Sequence, residues 1–221
     1  MNALGIGLRL GWARLCTTQS LAVFASGLLA CLLAASLERG NADGVSASLL
    51  GMTFGIVIPL TCLELSRRAF DSSSLLDSVA EPARWGASRR PLVLGLALAL
   101  ALVLAAWCAC IAGATVLIAG GNALDAVRSG GVGVESGLVY ACVLCAASSF
   151  GRGGRGRLWF MTLDWLLGTG VSSLAIPFPR AHLANLLGAA PPAEWSQAAS
   201  GLALVGLCLV ALSWVRVRIP S

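Results

Sequence analysis

The chain has 221 residues, 57% of them hydrophobic and only 11% charged. An ordinary soluble domain is about a quarter charged, and the apolar residues here fall in blocks close to the ~20 that span a bilayer. This composition excludes a second, soluble domain and points to a single membrane domain over residues 1–221, an all-α integral membrane protein. The net charge is +5, and all fifteen basic residues are arginine, since the sequence has no lysine. That usage, with abundant Ala, Gly and Leu, suggests a GC-rich bacterial genome.

Residues 3–19 mix Leu, Ile and Trp with Arg9 and Arg14, the pattern of an interfacial helix leading into a first span. Six apolar runs follow, at 20–37, 48–65, 91–119, 133–150, 158–178 and 199–215. They are continuous rather than alternating, which predicts transmembrane helices and not a β-barrel. The third run is long enough that it must tilt or extend beyond the hydrocarbon.

The arginines set the orientation. With a cytoplasmic N-terminus, twelve fall on the cytoplasmic side (Arg9, Arg14, Arg67, Arg68, Arg84, Arg89, Arg90, Arg152, Arg155, Arg157, Arg216 and Arg218). Three fall outside (Arg39, Arg128 and Arg180). This is the positive-inside bias of a bacterial inner-membrane protein with both termini in the cytoplasm. Arg67, Arg68, Arg89, Arg90, Arg152, Arg155 and Arg157 are the expected cytoplasmic anchors beside anionic lipid.

The loops differ in kind. Outer segments 38–47 and 120–131 read as short, Gly-rich turns. Segment 177–197 contains AHLANLLGA, a short helix stopped by Gly188, Pro191 and Pro192, with Trp195 as an interfacial anchor. On the cytoplasmic side, residues 66–91 (SRRAFDSSSLLDSVAEPARWGASRRP) form a connector of about 25 residues, where most connectors have two to eight. Asp71 and the serines are candidate N-caps, Leu75, Leu76 and Val79 share one face, and Pro82 ends the run. These features predict an amphipathic helix at about 72–81 that docks a cytoplasmic partner, with Ser73, Ser74, Leu75, Leu76, Asp77, Val79 and Glu81 at the contact.

Asp164 lies one to two turns into the fifth run, where an acid costs ~3 kcal/mol at the helix centre. It is expected to face the bundle interior, with Arg157 or Arg152 as partner, and it is the one candidate intramembrane functional acid. Glu64 ends the second run beside Arg67 and Arg68, and Glu135 opens the fourth near the outer surface. The turn FGRGGRGR (150–157) lacks the Gly-Lys-Ser/Thr ending of a phosphate loop and is too short for an RNA-binding tract, so no nucleic-acid partner is expected. The cysteine pairs at 108–110 and 142–145 have no histidine near them; they read as packing residues, with no metal site. GVSS (170–173) suggests an intramembrane serine protease, but His182 stands ten residues from Ser172 across two prolines, and that reading is rejected.

The layout as a whole, and LELSRRAFDSSSLLDSVAEPARWGASRRPLVLG (63–95) in particular, resembles the permease subunit of an ABC-2-type transporter. The likeness covers nearly the full chain. It departs at Ser74-Leu75-Leu76, where the family often has Gly-Thr-Leu, and at Leu96, where it often has lysine. The resemblance implies six transmembrane helices with an N-terminal interfacial helix, a cytoplasmic coupling helix between spans two and three, and a short outer helix between spans five and six. It implies no enzymatic activity and no cofactor in this chain. ATP and Mg would belong to a separate ABC ATPase subunit, and a second permease copy or a homologue would complete the transporter. The alternatives are a non-transporting assembly subunit, a membrane enzyme built on Asp164, and a permease of the haem-exporter type.

Overall fold

The structure is a computed structural model that describes residues 2–219, and among them there are helices and turns but no strand. Helix α1 (Ala3–Leu15) begins where the Asn2 side chain accepts the Gly5 amide at 2.8 Å, an N-cap. Thr17 caps α2 (Thr18–Leu37) in the same way through Ser20 N–H. Helix α3 (Gly44–Ala69) contains eleven residues of wide π winding at Ala47–Val57 before it returns to α geometry at Ile58–Ala69. One turn of 3-10 helix (Asp77–Val79) leads into α4 (Ala80–Arg84). Then follow α5 (Arg89–Ile118), α6 (Ala123–Ala147), α7 (Gly156–Leu167), α8 (Pro179–Leu186) and α9 (Gln197–Arg218).

Five helices, α2, α3, α5, α6 and α9, are long and apolar enough to cross a membrane. The run at 158–178 differs from its reading as one helix. Helix α7 ends at Leu167, where Gly168 sits so tightly that a Cβ would lie 3.1 Å from Arg180 Cβ. A short 3-10 turn at Ser173–Ala175 and Pro179 then start α8. The reading of 120–131 as a turn is also corrected. Asn122 accepts the Asp125 amide at 2.9 Å and starts α6 at Ala123, about ten residues early. This places Glu135 mid-helix rather than at its start.

In lipid, burying apolar surface gives helices little reason to associate, so close packing and hydrogen bonds carry the bundle. Two glycine seams supply the packing. On α1, a Cβ at Gly7 would strike the Leu92 carbonyl and one at Gly11 would lie 2.7 Å from Ala99 Cβ. On α6, a Cβ at Gly133 would strike the Cys108 carbonyl, and one at Gly137 would lie 2.5 Å from Ala105 N. Helix α5 is therefore held backbone-to-backbone on two sides, and its Leu96, Leu100, Leu104 and Ile111 are fully buried. A polar contact fixes α3 on it, with Thr53 Oγ1 and Thr115 Oγ1 3.1 Å apart.

Candidate functional site

The polar segment after α3 is built onto the bundle rather than suspended from it. The last carbonyls of α3 carry the negative end of its dipole, and a carbonyl such as Ser66 O, which already accepts the Phe70 amide, has a second lone pair to offer. Two guanidiniums meet them. Arg14, near the end of α1, donates to Ala69 O at 2.9 Å and to Ser78 O at 3.1 Å. Arg157, in the first turn of α7 and buried, donates to Ser66 O at 3.0 Å, Ser73 O at 3.1 Å and Gly154 O at 3.2 Å, and lies over the Phe70 ring. Each arginine thus joins the end of α3 to a point further along the segment, and together they fix it at Ser73 and Ser78. Burial pulls the Arg14 guanidinium below its ordinary value, while Asp71 and Glu81 oppose that shift.

This anchoring corrects the expected docking face. Leu75 and Val79 are fully buried against the chain's own core, and the Leu75 amide donates to Ser148 O at the end of α6. The apolar stripe is a contact surface, as its periodicity predicts, but its partner is the bundle. The helix also starts later than 72–81. Asp71 and Ser72 take left-handed backbone conformations, and Ser74 closes the turn that leads into the 3-10 helix, accepting the Asp77 amide while donating to Asp77 Oδ2 at 2.6 Å. Pro82 lies in the first turn of α4 instead of ending the helix, because its missing N–H is one that the first turn leaves unbonded. What faces outward is Leu76, Asp77, Glu81, Arg84 and above all Trp85, which is 86% exposed. Ser73 and Ser74 are half-buried. Helical periodicity does not single out Trp85; the available signal is a tryptophan between Arg84 and Gly86 in an otherwise polar loop.

The expected basic anchors divide. Arg67 and Arg68 both pair with Glu64 at 2.8 Å, and Arg68 also reaches Gln19 Oε1 on α2 at 2.7 Å. Arg90 donates to Ile219 O at 2.9 Å and ties the start of α5 to the end of α9. Arg89, Arg152 and Arg155 are exposed, and Arg157 is the buried clamp.

Asp164 is fully buried, but neither Arg157 nor Arg152 is its partner. Its Oδ2 accepts the Tyr140 hydroxyl from α6 at 2.7 Å, and its Oδ1 accepts the Arg180 amide at 3.2 Å, capping the first turn of α8. The Arg180 side chain lies over the Trp165 ring and donates to Trp165 O at 3.4 Å. Trp165 Nε1 in turn donates to Gly55 O at 2.8 Å. Asp164 is thus the hub of a network that joins α3, α6, α7 and α8.

Behind it, α8 is locked onto α9. The carbonyl of Ile176 can only accept, so His182 Nε2, 2.8 Å away, carries the proton, and Nδ1 accepts from Ser200 Oγ at 3.1 Å. Asn185 donates to Ser200 Oγ at 2.8 Å and to Trp195 O at 3.0 Å. Burial holds His182 below its ordinary value. Compared with known proteins, the chain matches no family model, no curated protein and no solved structure.

Proposed function

We propose that this chain is the membrane-embedded permease subunit of an ATP-driven, ABC-2-like exporter of the bacterial inner membrane, working with a separate ATPase and a second permease copy. One observation carries the reading. The polar segment is bonded to the ends of α1, α3, α6 and α7 while presenting Leu76, Asp77, Glu81 and Trp85 away from the bundle. A force applied to that outer surface would pass into four helices at once, as a coupling element requires. Rigid attachment on one side and an exposed aromatic on the other is also the usual anatomy of an interaction hot spot.

In this reading α7 and residues 168–178 make the fifth crossing, α8 is the short outer helix and α1 is the interfacial helix. ATP and Mg act in the partner subunit. Closure of two ATPases would press on the two polar segments and tilt α3 and α7 about the Asp164–Trp165 network, opening a route between the copies. The cargo is lipid-like or amphipathic, in keeping with apolar helix faces and small outer loops.

The test is co-purification with an ABC ATPase subunit expressed together with this chain. Leu76→Asp and Trp85→Ala should abolish the complex while leaving the membrane domain inserted and monodisperse. An ATPase that stays bound to both variants would remove the docking assignment.

A further inference from the structure

A groove of about 430 Å³ lies between α6, α7 and α9. Its walls are apolar, among them Val143, Trp159, Leu163, Val210 and Trp214, and no charged side chain lines it. Trp159 and Val210 are about 70% exposed, so it opens sideways to the surrounding lipid. One end is different. Phe150 and Trp214 stack there at 5.1 Å, and the Arg218 guanidinium lies over both rings, 5.7 and 4.9 Å from their centres. Trp214 is held in place by its Nε1 bond to Ser149 Oγ at 3.0 Å. The turn that joins Phe150 to Gly156 is closed by the Gly156 amide on Phe150 O, and it carries Arg152 and Arg155, both exposed. Arg216 and Arg218 are exposed as well, and residues 148–163 and 204–219 contain no acid.

We infer that this groove is a binding site for one anionic phospholipid of the leaflet on the arginine-rich side. An acyl chain fills the apolar channel, and the phosphate is held by Arg218 with Arg152 from the neighbouring turn. Apolar walls open to the surrounding lipid suit an acyl chain. The charge is of one sign and sits only at the end where aromatic rings mark the headgroup level. Arg218, fixed over two rings, retains N–H donors for phosphate. A diffuse attraction of arginines for anionic lipid would need no groove, and a groove for any lipid would need no arginine at its mouth. This inference is independent of the transporter reading.

The test is native mass spectrometry of the full chain with dioleoyl phosphatidylglycerol or dioleoyl phosphatidylcholine. The wild type should retain the anionic lipid selectively. Each arginine near a lipid surface contributes about fivefold to binding, so Arg218→Gln should weaken phosphatidylglycerol by about that factor and phosphatidylcholine by less, because its choline offsets the phosphate charge. Val210→Trp, which fills the channel from an exposed position, should lower retention of both. Equal retention of the two lipids by the wild type, an undiminished preference in Arg218→Gln, or unchanged binding to Val210→Trp would each overturn the site.

Discussion

Replacing Arg157 by methionine keeps the apolar stem and removes the clamp. Three hydrogen bonds at 3.0–3.2 Å are lost, to Ser66 O, Ser73 O and Gly154 O, with a longer fourth at 3.4 Å to Gly153 O. A bond to a charged group is worth about 1.5–3 kcal/mol, and bonds sharing one guanidinium do not simply add. A loss of about 3–5 kcal/mol is expected, as for breaking a buried charge network. It should fall locally, because the α5–α6 glycine seam does not involve residue 157. At tenfold per 1.4 kcal/mol, 3 kcal/mol raises the open population of the segment by roughly 150-fold. Hydrogen exchange in lipid nanodiscs reads this directly. The Leu75 amide, bonded to Ser148 O, and the Ser78 amide, bonded to Ser74 O, should exchange about two orders of magnitude faster, with α5 and α6 unchanged. Arg157→Lys should be intermediate, since one ammonium cannot reach three separated carbonyls, and Arg155→Gln, at an exposed site, should have no effect. Wild-type exchange at Leu75 and Ser78 in Arg157→Met would refute the clamp.

Other outcomes follow from the same geometry. Tyr140→Phe strips Asp164 Oδ2 of its donor and should lower stability in mild detergent by about 1–3 kcal/mol; Asp164→Ala should cost more, because α8 loses its cap too, and Asp164→Asn should recover much of the loss. Gly137→Leu drives a side chain into the α5 backbone and should destabilise by about 1–3 kcal/mol or more, seen as a lower thermal midpoint with Gly131→Ala as the neutral control. His182 is neutral in the fold, and its value is depressed. Between the folded and unfolded values the unfolded chain binds more protons, so stability should fall as pH drops below the ordinary histidine value of about 6.5, and His182→Gln should flatten that slope.

Several of these features are legible in the sequence and others are not, for physical reasons. Continuous apolar runs mark helices that can sit in lipid, and five are recovered with ends shifted by a few residues, α6 by more. Hydropathy does not register a break, however. Residues 158–178 are mostly apolar, and Gly168, Gly170, the serines at 172 and 173 and Pro177 are the hints that α7 stops. The Leu75/Val79 stripe is visible as a buried face, yet periodicity says that a face is covered and not by what. Asp164 is visible as an acid needing partners. Its partners are a hydroxyl 24 residues earlier and a backbone amide 16 residues later, and neither is a charge. Salt-bridge reasoning therefore points to Arg157, which instead binds carbonyls.

The proposed docking role of the polar segment is tested most directly by photo-crosslinking in cells. A photoreactive amino acid placed at position 85 or 76 should form an adduct with a nucleotide-binding ATPase subunit, and one at position 128, on the opposite side, should not. Efficient incorporation at 76 and 85 with no ATPase adduct at either, from a protein that still inserts and folds, would contradict the docking role.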